Sequence, residues 1–319
     1  MSNRVCAICA NSEGNAIFTA REMMFGLREP FAYLECAACG CLQLLDPPEH
    51  LDKYYPANYY SFHPKPLNWF TAAIKRERLD AARTGKGVLG RLLVQRYGVP
   101  ALVTWTQKAG VSLQSKILDV GSGNGDILSE FAIAGYENIL GIDPYIAGDI
   151  HVENRFKILR QGLETLSGSF DLIMLHHSFE HMAEPLHVLE MLHRLLAPGG
   201  CILLRIPVAA SYAWRTYREH WVQLDAPRHL FLHTGKSVGL LAVEAQLRIE
   251  TVEYDSTAFQ FWGSEQYAKD IPLYDTRSYE VDPANSLFSA TTIKAYAKHA
   301  ADLNRKHEGD AACFYLRAL

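Results

Sequence analysis

The stretch that most limits how this chain can fold is a glycine-rich turn between a buried strand and a helix. Residues 117–120 have buried-strand character and include the acid Asp119. Glycines then occupy three alternate positions, Gly121, Gly123 and Gly125. Glycine suits such a turn, because a Cβ would obstruct both the sharp bend and the close approach of a ligand. An apolar run with helical spacing continues to Ala134, so the stretch predicts strand, tight turn and helix.

A second predicted strand, residues 138–143, ends on the carboxylate of Asp143. An acid at that point can accept hydrogen bonds from both hydroxyls of a ribose, which indicates a nucleoside ligand. A dinucleotide fingerprint would have its third glycine at position 126, where the helix packs beneath a pyrophosphate. This chain has Asp126 there, and its negative charge would face the phosphates. The pattern therefore disfavours a dinucleotide.

Strand and helix patterns alternate from Ser115 onward, which predicts a parallel sheet with helices on both faces. Further strands are predicted over residues 156–160, 170–175, 201–207, 248–254 and 311–317. We therefore expect a doubly wound α/β fold.

Several motifs, read in order, resemble the class I S-adenosylmethionine-dependent methyltransferases. They are the Asp-x-Gly-x-Gly-x-Gly pattern from Asp119, Phe-Asp-Leu-Ile from Phe170, Glu180-His181 followed by Glu184-Pro185, and Leu-Ala-Pro-Gly-Gly from Leu196. The resemblance implies a Rossmann-like seven-stranded sheet with an antiparallel last strand. It also implies S-adenosylmethionine as the cofactor, whose amino-acid tail and sulfonium tolerate acids near the turn.

The same resemblance implies which residues hold that cofactor. It assigns the methionine moiety to Asp119, Gly121 and Gly123, the ribose to Asp143, and the adenine to Gly162 and Leu163. It also includes His176, which lies at the end of the fourth strand, among the cofactor-binding residues. Ligands in open parallel sheets bind at the carboxyl ends of strands, which is where these residues fall.

The N-terminal segment carries two Cys-x-x-Cys pairs, Cys6 with Cys9 and Cys36 with Cys39. Each pair can place two thiolates on one tetrahedral ion. A disulfide framework is the competing interpretation, but no secretory signal supports an oxidising compartment. We expect a structural zinc ribbon over residues 1–50, in which the metal holds together a segment with little core.

Residues 51–114 are predicted to form an aromatic flap and a helical linker. Aromatic side chains are dense over residues 54–62, and two interpretations stay open: packing between domains, or a flap that closes over the cofactor. The helical pattern that follows has seven basic residues and two acids between Lys75 and Arg96. Such a run is typical of a solvated helix face, and the alternative is a site for an anionic substrate.

We expect a methyltransferase domain over residues 115–319, with a substrate insertion near 208–234. A polar segment, residues 224–234, lies within this insertion, after the predicted fifth strand. It resembles the His-containing segment of zinc-ribbon sugar C-methyltransferases, with His229 at the position of their catalytic histidine. Ala226 and Arg228 stand where that family has Tyr and Glu.

We therefore expect in-line methyl transfer to a sugar, nucleotide-sugar or surface glycan. His229 is the first candidate for the base and His181 the second, since an imidazole suits a hydroxyl or an acidified C–H acceptor. A quinone or phenol O-methyltransferase is the alternative.

His177-Ser-Phe-Glu180-His181 also matches the His-x-x-Glu-His signature of a zinc hydrolase. That chemistry needs both imidazoles on one zinc at helical spacing, with a third ligand that the sequence does not identify.

Charge composition bears on the partners. Lys plus Arg total 31 against 35 for Asp plus Glu, so nothing in the overall charge indicates a nucleic acid. No apolar run approaches the roughly 18 residues of a membrane span. We expect a soluble cytoplasmic protein that acts on a small molecule or a glycan.

Overall fold

The computed structural model describes residues 5–55, 69–152 and 155–319. Most of the predicted aromatic flap, residues 56–62, lies outside them. The chain divides into two compact units, each built from separate stretches. Unit 1 comprises residues 1–55, 177–186 and 205–314, and unit 2 comprises residues 56–176, 187–204 and 315–319.

In the first half of the chain the elements are β1 (Ala16–Arg21), β2 (Pro30–Glu35), β3 (Leu42–Leu44), α1 (Trp69–Thr84), α2 (Val88–Tyr97), α3 (Ala101–Ala109), β4 (Ile117–Val120), α4 (Asp126–Ile133), β5 (Ile139–Ile142), β6 (Ile150–Val152) and β7 (Phe156–Leu159). In the second half they are β8 (Phe170–His176), α5 (Pro185–Leu195), β9 (Leu196–Pro207), α6 (Tyr212–Tyr217), β10 (Phe231–Leu232), α7 (Gly235–Glu244), β11 (Leu247–Tyr254), α8 (Phe259–Ala268), α9 (Ala290–Arg305) and β12 (Ala311–Ala318).

Unit 2 is built on a mostly parallel sheet in the order β9-β8-β4-β5-β7-β6. β4 is parallel to both β5 and β8, and β5 is parallel to β7. Ile117, Leu118 and Val120 of β4 are all buried, as expected for a strand covered on both faces. The predicted α/β fold, mostly parallel with antiparallel strands at its ends, is confirmed.

The short edge strand β6 pairs antiparallel with β7 and was not predicted. The seven strands that the resemblance implied did not include this one. Three residues are too few to show a period, so the sequence offered no signal for this strand.

The linker of unit 2 forms three helices, α1 to α3. Leu79 and Ala81 bury one side of α1, and Gly90 allows α2 to pack closely against it, since a Cβ there would lie 2.2 Å from the Glu77 carbonyl oxygen. Six of the seven basic side chains between Lys75 and Arg96 are exposed, which matches a solvated face. None of the helices in the described parts of the chain is both long and apolar enough to cross a membrane.

Unit 1 contains a second sheet in the order β1-β2-β3-β10, with antiparallel pairing. Its three N-terminal strands are too short to bury a core alone. Tyr33, Leu34 and Leu42 instead pack in one cluster with Trp221 and Leu232. The N-terminal segment therefore shares its core with the predicted substrate insertion. In the same unit β11 lies beside β12.

Candidate functional site

The predicted nucleoside-binding residues of unit 2 all lie at the carboxyl ends of parallel strands. Asp119 lies near the carboxyl end of β4, Asp143 directly follows β5, Gly162 follows β7 and His176 ends β8. The chain passes from β4 to β5 on one side and later returns to β8 on the other. Ligands of open α/β sheets bind in the crevice at such a switch point.

The turn after β4 has the left-handed backbone that the glycines predict. φ is +73° at Gly121, +51° at Gly123 and +80° at Gly125. The Gly121 amide donates to the Ile142 carbonyl oxygen at 2.9 Å, which ties the turn to β5. A Cβ on Gly125 would lie 2.7 Å from Cδ1 of Ile158, so this glycine also permits helix and sheet to pack.

Two carboxylates, those of Asp119 and Asp143, line this turn. Both oxygens of Asp143 accept backbone hydrogen bonds, Oδ2 from the Gly123 amide at 2.9 Å and Oδ1 from the Tyr145 amide at 2.8 Å. These contacts fix the orientation of that carboxylate. Asp119 is buried, and burial together with the charge of Asp143 raises its pKa to about 7. A cationic ligand group beside Asp119 would offset this cost.

The remaining predicted nucleoside contacts are apolar or aromatic. Gly162 precedes a single turn of 3-10 helix, Leu163–Thr165, in which Leu163 is buried. The His176 ring packs against Trp105 of α3, with ring centroids 4.4 Å apart. Trp105 was not singled out from the sequence, because an aromatic residue on an amphipathic helix looks like any core position.

The four predicted cysteine ligands of unit 1 converge. Their Sγ atoms all lie within 4.8 Å of one another, with Cys6 to Cys39 at 3.6 Å and Cys9 to Cys36 at 3.4 Å. Four sulfurs at 2.3 Å from a tetrahedral zinc would be about 3.8 Å apart, whereas a disulfide requires about 2.05 Å. A hydrogen bond from Cys39 lowers the pKa of Cys6 to about 5, which favours a thiolate. The donor set therefore fits zinc.

Unit 1 also brings His181 and His229 together. Glu180 and His181 lie in a single 3-10 turn, Phe179–His181, and the Glu180 carbonyl oxygen accepts a hydrogen bond from the Leu230 amide at 2.9 Å. This backbone contact places His229 beside the turn. The two imidazole centroids are 4.7 Å apart, and Nε2 of His229 lies 3.8 Å from Oε1 of Glu180.

Backbone carbonyls fix the tautomers of both histidines. Nδ1 of His229 lies 2.7 Å from the Gln223 carbonyl oxygen, and Nδ1 of His181 lies 2.8 Å from that of Arg228. A carbonyl only accepts, so Nδ1 carries a proton in each ring, and in the neutral form of the ring Nε2 has the lone pair. The Tyr55 hydroxyl is a further neighbour of His181, 3.2 Å from Nδ1.

The carboxylate of Glu180 is fully buried between imidazoles. Among the described residues, neither of its oxygens has a hydrogen-bond partner. Nδ1 of His177 is 3.4 Å from Oε1, too poorly placed for a good hydrogen bond. Burial raises the pKa of this carboxyl, but His177, His229 and His181 outweigh burial and lower the pKa to about 2. Burial, together with the nearby His181, lowers the pKa of His229 to about 4.

Arg228 stabilises the loop that carries His229. Its guanidinium is completely buried and donates to Asp225 at 2.6 Å and to Glu22 at 3.0 Å. It also donates to the Tyr54 carbonyl oxygen at 3.2 Å. Sequence reasoning noted Arg228 only as a departure from a family pattern, because its partner Glu22 lies 206 residues away.

The His-x-x-Glu-His stretch does not form the helix that the hydrolase interpretation needs. His177 has a φ of +51°, and only a single 3-10 turn follows it. Arg205 donates to Nε2 of His177 at 2.8 Å, so that nitrogen is occupied. His177 and His181 therefore lack the spacing of the metalloprotease signature.

Comparisons with known proteins show the family to which this chain belongs. A family model described as "Methyltransferase domain" matches residues 91–252. A ubiquinone biosynthesis O-methyltransferase from Pseudomonas aeruginosa is 32% identical over 116 residues, which cover 33% of this chain and 50% of that protein. The human EEF1A lysine methyltransferase 2 is 39% identical over 57 residues, 18% of this chain and 24% of that protein.

The chain spans about half the length of the ubiquinone-biosynthesis relatives it matches. Among solved structures, the cyclopropane synthase MmaA2 from Mycobacterium tuberculosis is similar at 15% identity with a TM-score of 0.44. That similarity covers 76% of this chain and 93% of that structure.

Proposed function

Because the chain belongs to the methyltransferase-domain family, we propose that it is an S-adenosylmethionine-dependent methyltransferase. The observation that carries the proposal is the convergence of Asp119, Asp143 and the glycine turn at the switch point of the unit 2 sheet. An anionic Asp119 suits the ammonium of the methionine moiety. The fixed carboxylate of Asp143 suits the two ribose hydroxyls, since its position is already set by two amides.

Gly162, Leu163 and His176 complete the proposed cofactor site. Leu163 offers an apolar surface to the adenine, and His176 marks the end of β8. S-adenosylmethionine supplies a methyl group that its sulfonium already activates. The protein's own contribution is then to align the acceptor and exclude water.

For the acceptor we propose a hydroxyl or acidified C–H of a sugar, free or within a nucleotide-sugar or glycan. The support is the resemblance of residues 224–234 and of the cysteine segment to zinc-ribbon sugar methyltransferases. A phenol or quinol hydroxyl is the second candidate. It is favoured by the similarity to ubiquinone-biosynthesis O-methyltransferases, which extends over 116 residues.

We further propose that His229, followed by His181, engages that acceptor. At neutral pH the imidazole of His229 is uncharged, so Nε2 offers a lone pair either to a proton or to a cation. The Nδ1 hydrogen bond to Gln223 holds the ring in the tautomer this requires. Arg228 is a positioning residue for the same loop.

A zinc held by Cys6, Cys9, Cys36 and Cys39 is part of the proposal, with a structural role. These residues close two tight turns, in which the Ala10 amide donates to the Cys6 carbonyl and the Gly40 amide to the Cys36 carbonyl, both at 2.9 Å. Four thiolates on one ion leave no open position for a substrate.

Isothermal titration with S-adenosylhomocysteine tests the cofactor site. We expect the wild type to bind it and Asp143→Ala to bind at least tenfold more weakly, because the ribose contacts are lost. Asp149→Ala removes a similar carboxylate outside the glycine turn and should leave affinity unchanged. Equal affinity in Asp143→Ala would remove that residue from the site.

A methyl-transfer assay against a panel of sugars and phenols tests the acceptor side. His229→Ala should keep S-adenosylhomocysteine affinity and lose on the order of 100-fold or more in turnover, because it acts on the acceptor. The matched control is the exposed His187, whose substitution by alanine should leave turnover unchanged. Unchanged turnover in His229→Ala would remove His229 from the mechanism.

A further inference from the structure

The carboxylate of Glu180 in unit 1 is buried without a hydrogen-bond donor from the described part of the chain. Its side chain is fully buried, and neither of its carboxylate oxygens has a hydrogen-bond partner among the described residues. An unpaired carboxylate in such a place is strongly unfavourable, and native proteins compensate one with a cation or with ordered donors. The side chains close to Glu180 include the imidazoles of His181 and His229, and imidazole is a common metal ligand.

The two imidazoles are already arranged as metal ligands usually are. A histidine on a metal typically donates its second ring N–H to a carbonyl or carboxylate, which fixes ring and tautomer. His181 and His229 each do so through Nδ1, to the carbonyl oxygens of Arg228 and Gln223. In the neutral form of each ring, Nε2 then presents its lone pair to an ion.

Distances within the cluster suit a small cation. One ligand atom from each of Glu180, His181 and His229 lies within 4.8 Å of the others, and Nε2 of His229 is 3.8 Å from Oε1 of Glu180. Ligands at about 2.1 Å from a tetrahedral ion lie about 3.4 Å apart. Side-chain movements of about 1 Å would close the set.

We infer that Glu180, His181 and His229 bind a divalent transition-metal cation, separate from the one proposed for the four cysteines. Two imidazole nitrogens and one carboxylate oxygen form a donor set typical of zinc and of other divalent first-row ions, and they leave coordination positions open. The cation supplies the positive charge that the Glu180 carboxylate lacks.

The His-x-x-Glu-His signature did not identify a third ligand for a metal ion. His177 is engaged with Arg205 and faces Glu180 through Nδ1 at 3.4 Å, so it supports the carboxylate and does not join the ligands. His229, 49 residues beyond Glu180 in sequence, replaces it. The signature therefore marks two of the ligands, and the loop after β9 contributes the other.

The neighbouring buried charges also favour a cation. Asp225, Glu22 and Arg228 form one hydrogen-bonded group with a net charge of −1, and Oδ2 of Asp225 is 3.8 Å from Nε2 of His229. With Glu180 the buried charge is −2, which a divalent ion neutralises. Asp225 is held by Arg228, so it acts through the electric field and not as a ligand.

The role of this cation rests on the proposed function, whereas its presence does not. In methyl transfer, the open positions would bind the acceptor hydroxyl and make it more acidic, so that its proton leaves to solvent. The O–CH3 bond would then form as the S–CH3 bond of the sulfonium breaks, and S-adenosylhomocysteine would be the leaving group. His229 then acts as a ligand, and the lone pair that could have taken a proton is used by the metal.

Metal counting by native mass spectrometry on the full-length protein, after dialysis against Zn²⁺, tests the inference. We expect two zinc ions per chain in the wild type. Glu180→Gln keeps the shape of the side chain but removes its charge, and it should hold one zinc, as should His229→Ala. His187→Ala is the matched control and should keep two. Cys36→Ser should keep the ion at the Glu180 site and lose the ion at the cysteine site. The melting temperature of this variant should also be lower than that of the wild type.

Cobalt substitution identifies which site is filled. Co²⁺ bound by thiolates absorbs strongly by sulfur-to-metal charge transfer, and Co²⁺ bound by nitrogen and oxygen does not. The charge-transfer band should persist in Glu180→Gln and His229→Ala and disappear in Cys36→Ser, while the weaker d–d bands of Cys36→Ser remain. Circular dichroism establishes that each variant is folded, and His181→Asn provides a second ligand variant if one fails to fold.

Two outcomes would overturn the inference. One is a single zinc per wild-type chain with none in Cys36→Ser. The other is a second ion that survives both Glu180→Gln and His229→Ala. Failure of the proposed function is recognised separately, because wild type that binds no S-adenosylhomocysteine would still give a defined metal count.

Discussion

The proposed nucleoside-binding residues of unit 2 and the histidine cluster of unit 1 are assembled in opposite ways. The unit 2 site comes from the ends of neighbouring parallel strands, and its central turn is one continuous stretch from Asp119 to Gly125. The cluster in unit 1 draws on separate stretches near Glu22, Glu180 and His229. Local backbone geometry therefore positions the first site, and long-range packing positions the second.

The two sites also differ in how their charges are compensated. Asp143 is held by amides of its own strand end and of the adjoining turn. The charges around His229 depend instead on Arg228, a single buried cation shared by carboxylates distant in sequence. Loss of one residue should consequently damage the unit 1 cluster more than the unit 2 turn.

The largest effect is expected for Arg228→Met. The substitution keeps an apolar stem but leaves Asp225 and Glu22 buried without their cation, which should cost about 3–5 kcal/mol in the free energy of unfolding. Urea denaturation followed by circular dichroism measures it. Arg277→Ala removes an exposed guanidinium paired with Asp275 and should leave stability unchanged. Equal stability of the two variants would mean that the unit 1 cluster does not depend on Arg228.

The sequence predicted the strands and the glycine turn of unit 2 because these features are local. The glycine turn and the place of Asp143 at the end of the next strand both follow from short-range pattern. The meeting of Cys6 and Cys9 with Cys36 and Cys39 was predicted for the same reason, since each pair is a tight turn of its own.

The rest could not be predicted because its partners are distant in sequence. The sequence near Arg228 does not indicate Glu22 as its partner, and the sequence near Glu180 does not indicate His229 as its neighbour. The His-x-x-Glu-His match predicted a helix, yet His177 takes a positive φ and the chain turns away. Tertiary packing determines these positions. A periodic sequence pattern does not predict contacts between residues that are distant in sequence.

A smaller effect is expected for Gly125→Ala in the unit 2 turn. Its φ and ψ of +80° and +26° are left-handed, and a Cβ would meet both Ile158 and Phe156. Gly110 has nearly the same backbone, +73° and +27°, but only an ordinary contact near its Cβ position. Gly110→Ala should therefore cost about 1–2 kcal/mol from backbone strain alone. Gly125→Ala should cost about 1–3 kcal/mol more from overpacking.

Melting curves of the two glycine variants, with and without S-adenosylhomocysteine, measure the difference. The ligand-induced increase in melting temperature should shrink in Gly125→Ala and stay intact in Gly110→Ala. Equal destabilisation of the two variants would show that backbone conformation alone, and not packing against β7, explains the third glycine of the turn.

The smallest effect concerns the proton on Asp119. Its pKa is raised to about 7 by burial and by Asp143, so the folded protein holds a proton that the unfolded chain releases near pH 4. The stability of the ligand-free protein from this group is therefore greatest below pH 4 and declines as the pH rises toward 7. A ligand ammonium requires the carboxylate, so affinity should change in the opposite direction and weaken by up to about tenfold per pH unit below 7.

Isothermal titration with S-adenosylhomocysteine from pH 5.5 to 8, in buffers of different ionisation enthalpy, measures both affinity and proton release. The proton released on binding should approach one per chain at the acidic end and vanish at pH 8. Asp119→Asn should bind weakly at every pH and release no proton, because it carries no titrating group. A wild-type affinity independent of pH would mean that the ammonium does not lie beside Asp119. The unit 2 site would then owe its ligand to Asp143 and the glycine turn, and its electrostatics would be as local as its backbone.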